Sequence, residues 1–467
     1  MNQPAIPSLN LRAPHLHSLP PLNANAAQAC LKAYRQRLAQ STWGRQTPAT
    51  LFAPVWSEAA EIHEFERSLN ALHRALLKVL LQEQQIRQGQ RPRHALAELF
   101  EFVRRCNNWP VLGLGAELPL SQMLANNPAQ YLYGRPDIVL SEDGPKLVET
   151  NFDTGIGGFL GPDEIWHIAA ELFDLAPELL SWGSPLQGFA AYFTQRCGEQ
   201  PSVIHWIMKD MPEIRQELEP ALARLQAASA PHVRHALHYA GRALATSFEP
   251  AAQHYLHRAC SVYTVQSEVA AFTDLLQQLW PKTQQETVPV ALSLLDSKLL
   301  LAWLSDPRYR PDNLSLEEFS AIEDLLPWTR VLALLDAQQV TRILAQQSDY
   351  VIKKSDSFEA RDVHLGWTKS ANEWQQLVSE LRHRPGWDGL SSDIWIVQKR
   401  VRARPQRLIE YTDQGVQLRQ TGVSCGPYIL GGKIRGLESW ITALNPDLSM
   451  LHTRQLIPHY IRGQASS

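Results

Sequence analysis

Residues 135–153 read RPDIVLSEDGPKLVETNFD. Two short β-prone runs, DIVL and KLVET, flank the turn-forming sequence EDG, which is the pattern of a β-hairpin. Centring the turn on Asp143 sets Asp137 opposite Glu149 and Arg135 opposite Asn151. Side chains alternate along a strand, so Glu149 and Asn151 share a face and Thr150 points away. Opposed residues in a hairpin have Cβ atoms about 5 Å apart, and like charges placed there repel. Two facing carboxylates therefore call for positive charge between them. Mg²⁺ is suited to this, because it takes one or two carboxylates together with substrate phosphate oxygens. The alternative is an exposed hairpin whose charges are simply solvated. On the metal reading, Glu149→Gln is expected to relieve repulsion and to leave folding intact or slightly improved in metal-free buffer.

Composition bounds the wider reading. The chain has 467 residues, enough for a large core and two or three domains. Its 44 basic and 47 acidic residues leave a net charge of −3. There is thus no global electrostatic case for a nucleic-acid or membrane partner. Arginines cluster locally in QKRVRARPQR (398–407), a phosphate-binding run or a solvated edge. Cys30, Cys106, Cys197, Cys260 and Cys425 are scattered without C-x-x-C spacing, which suits a reducing cytoplasm. The first residues, MNQPAIPSLNLRAP, lack the apolar segment of a signal peptide, and no apolar run reaches transmembrane length. A cytoplasmic location is expected.

The Pro-, Asn- and Gln-rich residues 1–50 are expected to wrap the surface or to be partly disordered. Ile62, Phe65, Leu69, Leu72, Leu76 and Leu80, spaced by three and four, predict an amphipathic helix over 57–82. A second helix is expected over 94–105, and GIGGFLGPDE (155–164) reads as a Gly-rich turn ahead of a helix through 175. VIHWIM (203–208) reads as a buried strand, 212–229 as a helix, HALHYAG as a strand and TDLLQQLW as a helix. That alternation predicts a small α/β module over 200–292. A new region opens with LLDSKLLLAWLSD and ends in strands at 350–354, 393–401, 407–413 and 427–437. The boundaries are therefore 1–109, 110–199, 200–292 and 293–467.

Two further segments carry candidate chemistry. In YVIKKSDSFEARDVHLG (350–366) a strand delivers Lys353 to a polar loop closed by Gly366, a placement that suits phosphate neutralisation. A pair of lysines at a strand end is also a common exposed edge. IWIVQKRV turns from apolar to polar at Gln398, the form of a hinge whose backbone can meet an adenine edge, or of an ordinary core strand. His254, His257 and Cys260, like His232, His235 and His238, invite a zinc reading. Neither set is completed to four ligands, and the spacing also arises on any helix face. No GxSxG, HExxH, GxGxxG or GxxxxGK[ST] motif occurs, so a triad hydrolase, a zincin and a P-loop NTPase lose support.

Together these segments resemble the glutathionylspermidine synthase-like, circularly permuted ATP-grasp ligases. GRPDIVLSEDGPKLVETNFDT is similar to that family's R-x-D, strand, E-x-N-x-D-T metal segment. The resemblance implies Asp137, Glu149 and Asn151 as Mg²⁺ ligands and Arg135 as the contact to the transferring phosphate. LLDSKLLLAWLSD looks like the segment of the first ATP lysine, here Lys298, and YVIKKSDSFEARDVHLGW like that of the second, here Lys353. WIVQKRV looks like the adenine hinge, with Gln398, Lys399 and Val401. The metal segment precedes both lysines, which is the permuted order. Residues 110–199 and 293–467 would form the ATP-grasp core, with a substrate-side α/β domain at 200–292 and an N-terminal helical region at 1–109.

The implied activity is amide formation between a small-molecule carboxylate and an amine through an acyl phosphate, using ATP and Mg²⁺. No nucleic-acid or membrane partner is implied, and a homodimer is compatible. A hydroxyl-directed phosphotransferase on the same fold and a non-catalytic nucleotide-binding protein are the alternatives. Glu359, Ala360 and Asp362 stand where the family's loop is usually glycine, so close backbone approach to phosphate is hindered there. No amidase-like segment precedes the synthetase-like region, so a polyamine substrate is not implied.

Overall fold

A computed structural model describes residues 9–12, 24–40, 50–106, 119–152, 160–244, 248–259, 269–283, 285–357, 362–382, 393–444 and 455–463. The fold is mixed α/β, built around three main sheets. The largest has eight strands and is organised by one long hairpin, Gly415–Leu430 with Lys433–Thr442. Gly431 and Gly432 turn it, with φ of 64° and 79°. A two-residue turn needs positive φ at both central positions, which favours glycine there. The short hairpin Asp137–Ser141 with Gly144–Glu149 joins this sheet through Ser424↔Val139 and Cys425↔Ile138.

A second, antiparallel sheet runs in the order Thr329–Val331, Trp395–Lys399, Tyr350–Lys354, Val363–Leu365. Gly366 ends its last strand against neighbouring backbone. A Cβ there would lie 1.9 Å from the Gln347 carbonyl oxygen and 2.9 Å from that of Tyr350. Gly366→Ala is expected to cost about 3 kcal/mol or more, at the top of the overpacking range. Thermal melts check this, and an unchanged midpoint would show that the backbone relaxes freely.

The third sheet is parallel, in the order Val233–Tyr239, Ser202–Met208, Gln253–Arg258, Gln285–Glu286. Its central strand is nearly continuous apolar sequence because helices cover a parallel sheet. The helix Pro212–Ala228 matches the one expected over 212–229, and Val269–Leu279 overlaps the one expected at TDLLQQLW. The histidines that invited a zinc reading are partnered otherwise. His205 Nδ1 lies 2.9 Å from His238 Nε2, and His205 Nε2 lies 2.9 Å from His254 Nδ1. His257 Nδ1 meets Thr287 Oγ1 at 2.7 Å, and His235 sits between Trp206 and Ser229. Cys260 lies outside the described residues. Among those residues no group of three or more His, Cys, Asp and Glu is placed to hold a metal ion.

The helix Ala59–Arg87 buries Ile62, Phe65, Leu69, Leu72, Leu76 and Leu80 and packs on Lys298–Ser305 and Leu316–Leu325. The expectations for residues 1–50 include no helix, and the described residues contain one. Ala24–Gln40 is a helix, with Ala27, Leu31, Tyr34 and Leu38 buried in a cluster with Ile409 and Tyr411. Three of the four arginines of 398–407 are engaged one by one, and Arg407 is exposed. Arg400 stacks 3.8 Å from the Trp367 ring centroid, and Arg402 pairs with Asp349 at 2.6 Å. Arg404 reaches Asn10. Among the described residues no helix is long and apolar enough to cross a membrane, and Cys30, Cys197 and Cys425 are free thiols.

Candidate functional site

The short hairpin turns on two residues, Glu142 and Asp143, closed by Ser141↔Gly144. Its interior is therefore one residue out of the register predicted for a turn centred on Asp143. Ile138 faces Leu147, and Val148 is an extra residue that forms a β-bulge. The bulge shifts the pairing so that Asp137 faces Glu149 after all, and Arg135 N–H donates to the Asn151 carbonyl at 3.0 Å. Bulges re-aim side chains and recur beside functional sites. Asn151 adopts φ 42°, a left-handed conformation that Asn tolerates better than most side chains. Its Nδ2 donates to Asp137 Oδ1 at 3.4 Å.

The bulge also turns the Val148 carbonyl toward the second sheet. Lys353, on the strand Tyr350–Lys354, donates from Nζ to that oxygen at 3.1 Å and to Gln398 Oε1 at 2.9 Å. Burial pulls the Lys353 pKa down to about 8, with Lys298 adding to the effect and Glu149 and Asp137 opposing it. Lys354, the next residue along and so on the opposite strand face, is itself buried.

Lys298 opens the helix Lys298–Ser305 and is 3% exposed. Its backbone N–H donates to the Ser355 carbonyl at 2.8 Å. Its ammonium lies 2.7 Å from Glu149 Oε1 and 2.5 Å from the Ser357 carbonyl oxygen. One lysine thus ties the hairpin to the turn that follows the Lys353 strand. The repulsion expected between Asp137 and Glu149 is offset on the Glu149 side by this ammonium.

Arg135 meets a wall made by the long hairpin. Its Nη1 pairs with Glu438, and the Tyr428 hydroxyl donates to the same carboxylate at 3.1 Å. The guanidinium lies 5.9 Å from the Tyr428 ring centroid. A Cβ on Gly426 would sit 2.8 Å from Arg135 Cγ, so glycine makes the room. Burial opposes the arginine's charge, but Glu438, Tyr428 and Asp137 outweigh it and raise the pKa above its ordinary value.

The hinge residues divide. Gln398 is buried and turns its amide toward Lys353, whereas Lys399 is exposed and Val401 is half-buried. The N–H groups of Lys399 and Arg400 are donated to the carbonyls of Trp328 at 2.8 Å and Asp349 at 2.7 Å. Asp362 has φ 55°, a backbone conformation that favours glycine. Glu359 and Ala360, and the Gly-rich segment up to Gly158, lie outside the described residues. Sequence reasoning did not find Thr329, Gly426, Tyr428 or Glu438. The strand expected over 427–437 is instead broken by the turn at Gly431 and Gly432, and that Gly-Gly pair was the available signal for which residues of the long hairpin face each other.

The donor set suits a hard cation: two carboxylates on facing strands and a side-chain amide, all supplying oxygen. The ammonium of Lys298 on Glu149 shows that this carboxylate recruits positive charge.

No protein-family profile matches the chain, and no curated protein matches it. Among solved structures, it is similar to a glutathione synthetase-like effector from Globodera pallida in its apo form. The TM-score is 0.53 at 11% sequence identity, over 94% of this chain and 98% of that one. At that identity the likeness shows a shared fold.

Proposed function

We propose that the chain is an ATP-dependent carboxylate–amine ligase with a circularly permuted ATP-grasp core. Residues 110–199 and 293–467 form the core, 200–292 the substrate-side domain and 1–109 the helical extension. The observation that carries this reading is the meeting of Glu149, Lys298 and Lys353, from three distant segments, at one point between two sheets. The solved glutathione synthetase-like fold agrees with it.

Lys298 and Lys353 hold nucleotide phosphates, exchanging their internal partners for phosphate oxygens. The carbonyl of Lys399, at the end of its strand, and the N–H of Val401, two residues further on, suit an adenine edge, while Gln398 acts on Lys353. Asp137, Glu149 and Asn151 hold Mg²⁺, which when bound offsets phosphate charge. Arg135 stabilises charge on the phosphoryl group passing to the carboxylate, and the amine then displaces phosphate. Such catalysis rests on positioning and electrostatics and needs no protein nucleophile.

The test is incubation with ATP, Mg²⁺ and panels of small carboxylates and amines, reading products by mass. ADP, orthophosphate and an amide are expected. AMP with pyrophosphate would reject the acyl-phosphate route, and a phosphorylated alcohol would indicate a phosphotransferase. One observation favours a second reading, a nucleotide-binding protein without turnover: Arg135 and Lys298 are each already neutralised, by Glu438 and Glu149. ATP binding with no product from any pair would support that one.

A further inference from the structure

Three residues on adjacent strands of the second sheet share one face. Gln398 pairs directly with Thr329 on one side and with Val351 on the other. Lys353 lies two residues along from Val351, the diagonal position that long side chains can reach. Hydrogen bonds connect them in one order. Lys353 Nζ donates to Gln398 Oε1 at 2.9 Å, and Gln398 Nε2 donates to Thr329 Oγ1 at 3.1 Å. The Thr329 hydroxyl donates in turn to the Pro327 carbonyl at 2.8 Å. Thr329 and Gln398 are 0% and 2% exposed, so water does not compete for these groups.

The direction of the chain matters. A hydroxyl has one hydrogen, and here the Pro327 carbonyl takes it. The Thr329 oxygen can then only accept, so the Gln398 amide must present its NH₂ to Thr329 and its oxygen to Lys353. A flipped amide would aim N–H groups at an ammonium. We propose that Thr329 is a positioning residue for the nucleotide site: through the Gln398 amide it fixes where the Lys353 ammonium sits and keeps it charged. This rests on the reading of Lys353 as a phosphate-holding lysine. The backbone N–H of Thr329 donates to Ser305 Oγ at 2.8 Å, which holds the residue in register from the side of the Lys298 helix.

Thr329→Val keeps the shape and removes the acceptor. The Lys353 ammonium then loses its guaranteed acceptor, and its titration should move down from the already depressed value of about 8. A shift of about one pH unit is expected, a modest fraction of what burial alone can produce. Thr329→Ser should restore the original midpoint.

The measurement is NMR titration of the full-length protein with lysines labelled at Cε, the Lys353 signal being assigned by its absence in Lys353→Met. Calorimetry of ATP with Mg²⁺ accompanies it. The Thr329→Val loss in affinity should nearly vanish at about pH 6 and approach about tenfold above about pH 8, following the fraction of charged lysine. A merely structural role would give the same loss at every pH. An unmoved Lys353 midpoint, or a loss independent of pH, overturns the proposal. If Thr329→Val does not fold, Gln398→Leu is read in its place, with the same downward shift expected and an unmoved midpoint equally fatal. The titration needs no nucleotide. Wild-type protein that fails to bind ATP would overturn the nucleotide reading, and the Lys353 midpoint would still decide the role of Thr329.

Discussion

Glu149→Gln should destabilise the protein and abolish turnover together. Lys298 is buried, and Glu149 Oε1 lies 2.7 Å from its ammonium. Neutralising Glu149 leaves that cation without its charged partner. Removing one partner of a buried pair typically costs about 3–5 kcal/mol. The Glu149 side chain keeps 24% exposure, and water supplies part of the compensation. A loss of roughly 2–3 kcal/mol is therefore expected, below the fully buried range. This reverses the sign expected from the hairpin alone, where relief of repulsion with Asp137 is the only effect in view. Asp137→Asn separates the two roles. It leaves the Lys298–Glu149 pair in place, so its urea midpoint should stay close to wild type while Mg²⁺-dependent turnover is lost. Combining Glu149→Gln with Lys298→Met should cost less than the sum of the two changes by about 1–2 kcal/mol, the size of coupling seen between contacting groups. A Glu149→Gln protein as stable as wild type would show that the lysine does not depend on this carboxylate.

That reversal marks the boundary of what the sequence discloses. The strongest local periodicity was readable. The buried stripe Ile62, Phe65, Leu69, Leu72, Leu76 and Leu80 sits on a helix because its spacing fits 3.6 residues per turn. The pairing of Asp137 with Glu149 was also reached, but by a different path. A three-residue turn and a two-residue turn followed by a bulge bring the same pair together, and only the second sends the Val148 carbonyl to Lys353. A bulge leaves no reliable mark in a strand of six residues. The helix Ala24–Gln40 was missed because its polar composition masked a one-sided pattern, Ala27, Leu31, Tyr34 and Leu38, that was present throughout. Glu438 and Lys298 were beyond reach as partners. They meet Arg135 and Glu149 across separations of 303 and 149 residues, and no local rule couples such positions. The charge balance of the site, and hence the sign of its mutational effects, is therefore a tertiary property.

Lowering the pH from 7 to 5 should unfold this protein well before its carboxylates are protonated. Six buried or half-buried histidines are held neutral, each chiefly because burial disfavours the charged form. His73, His205 and His459 are pushed down to about 3, His235 and His238 to about 4, and His257 well below its ordinary value. His238 and His254 add to the lowering at His205, as do Arg74 at His73 and Arg258 and His235 at His257. In the unfolded chain the same rings take up a proton near pH 6.5. Below that value the unfolded state binds more protons than the native state, so acid favours unfolding. The stabilisation is fully present above about pH 6.5 and is lost as the pH falls toward the native values near 4 and 3. Each histidine contributes up to about 1.4 kcal/mol per pH unit in that window. Several acting together are comparable with a whole domain's stability of roughly 5–15 kcal/mol. Circular dichroism from pH 8 to pH 4, with urea midpoints at each step, should show a steep loss beginning just below pH 6.5. His73→Leu provides the control. Among the described residues neither ring nitrogen of His73 has a hydrogen-bond partner, and the residue is wholly buried. An apolar side chain removes two unsatisfied polar atoms and should raise stability at pH 7 by about 1–2 kcal/mol. It should also remove one histidine's share of the acid slope. Urea midpoints that stay flat between pH 7 and pH 5 would mean that these imidazoles are charged or hydrated in the native protein, and a destabilised His73→Leu would mean that His73 has a polar partner.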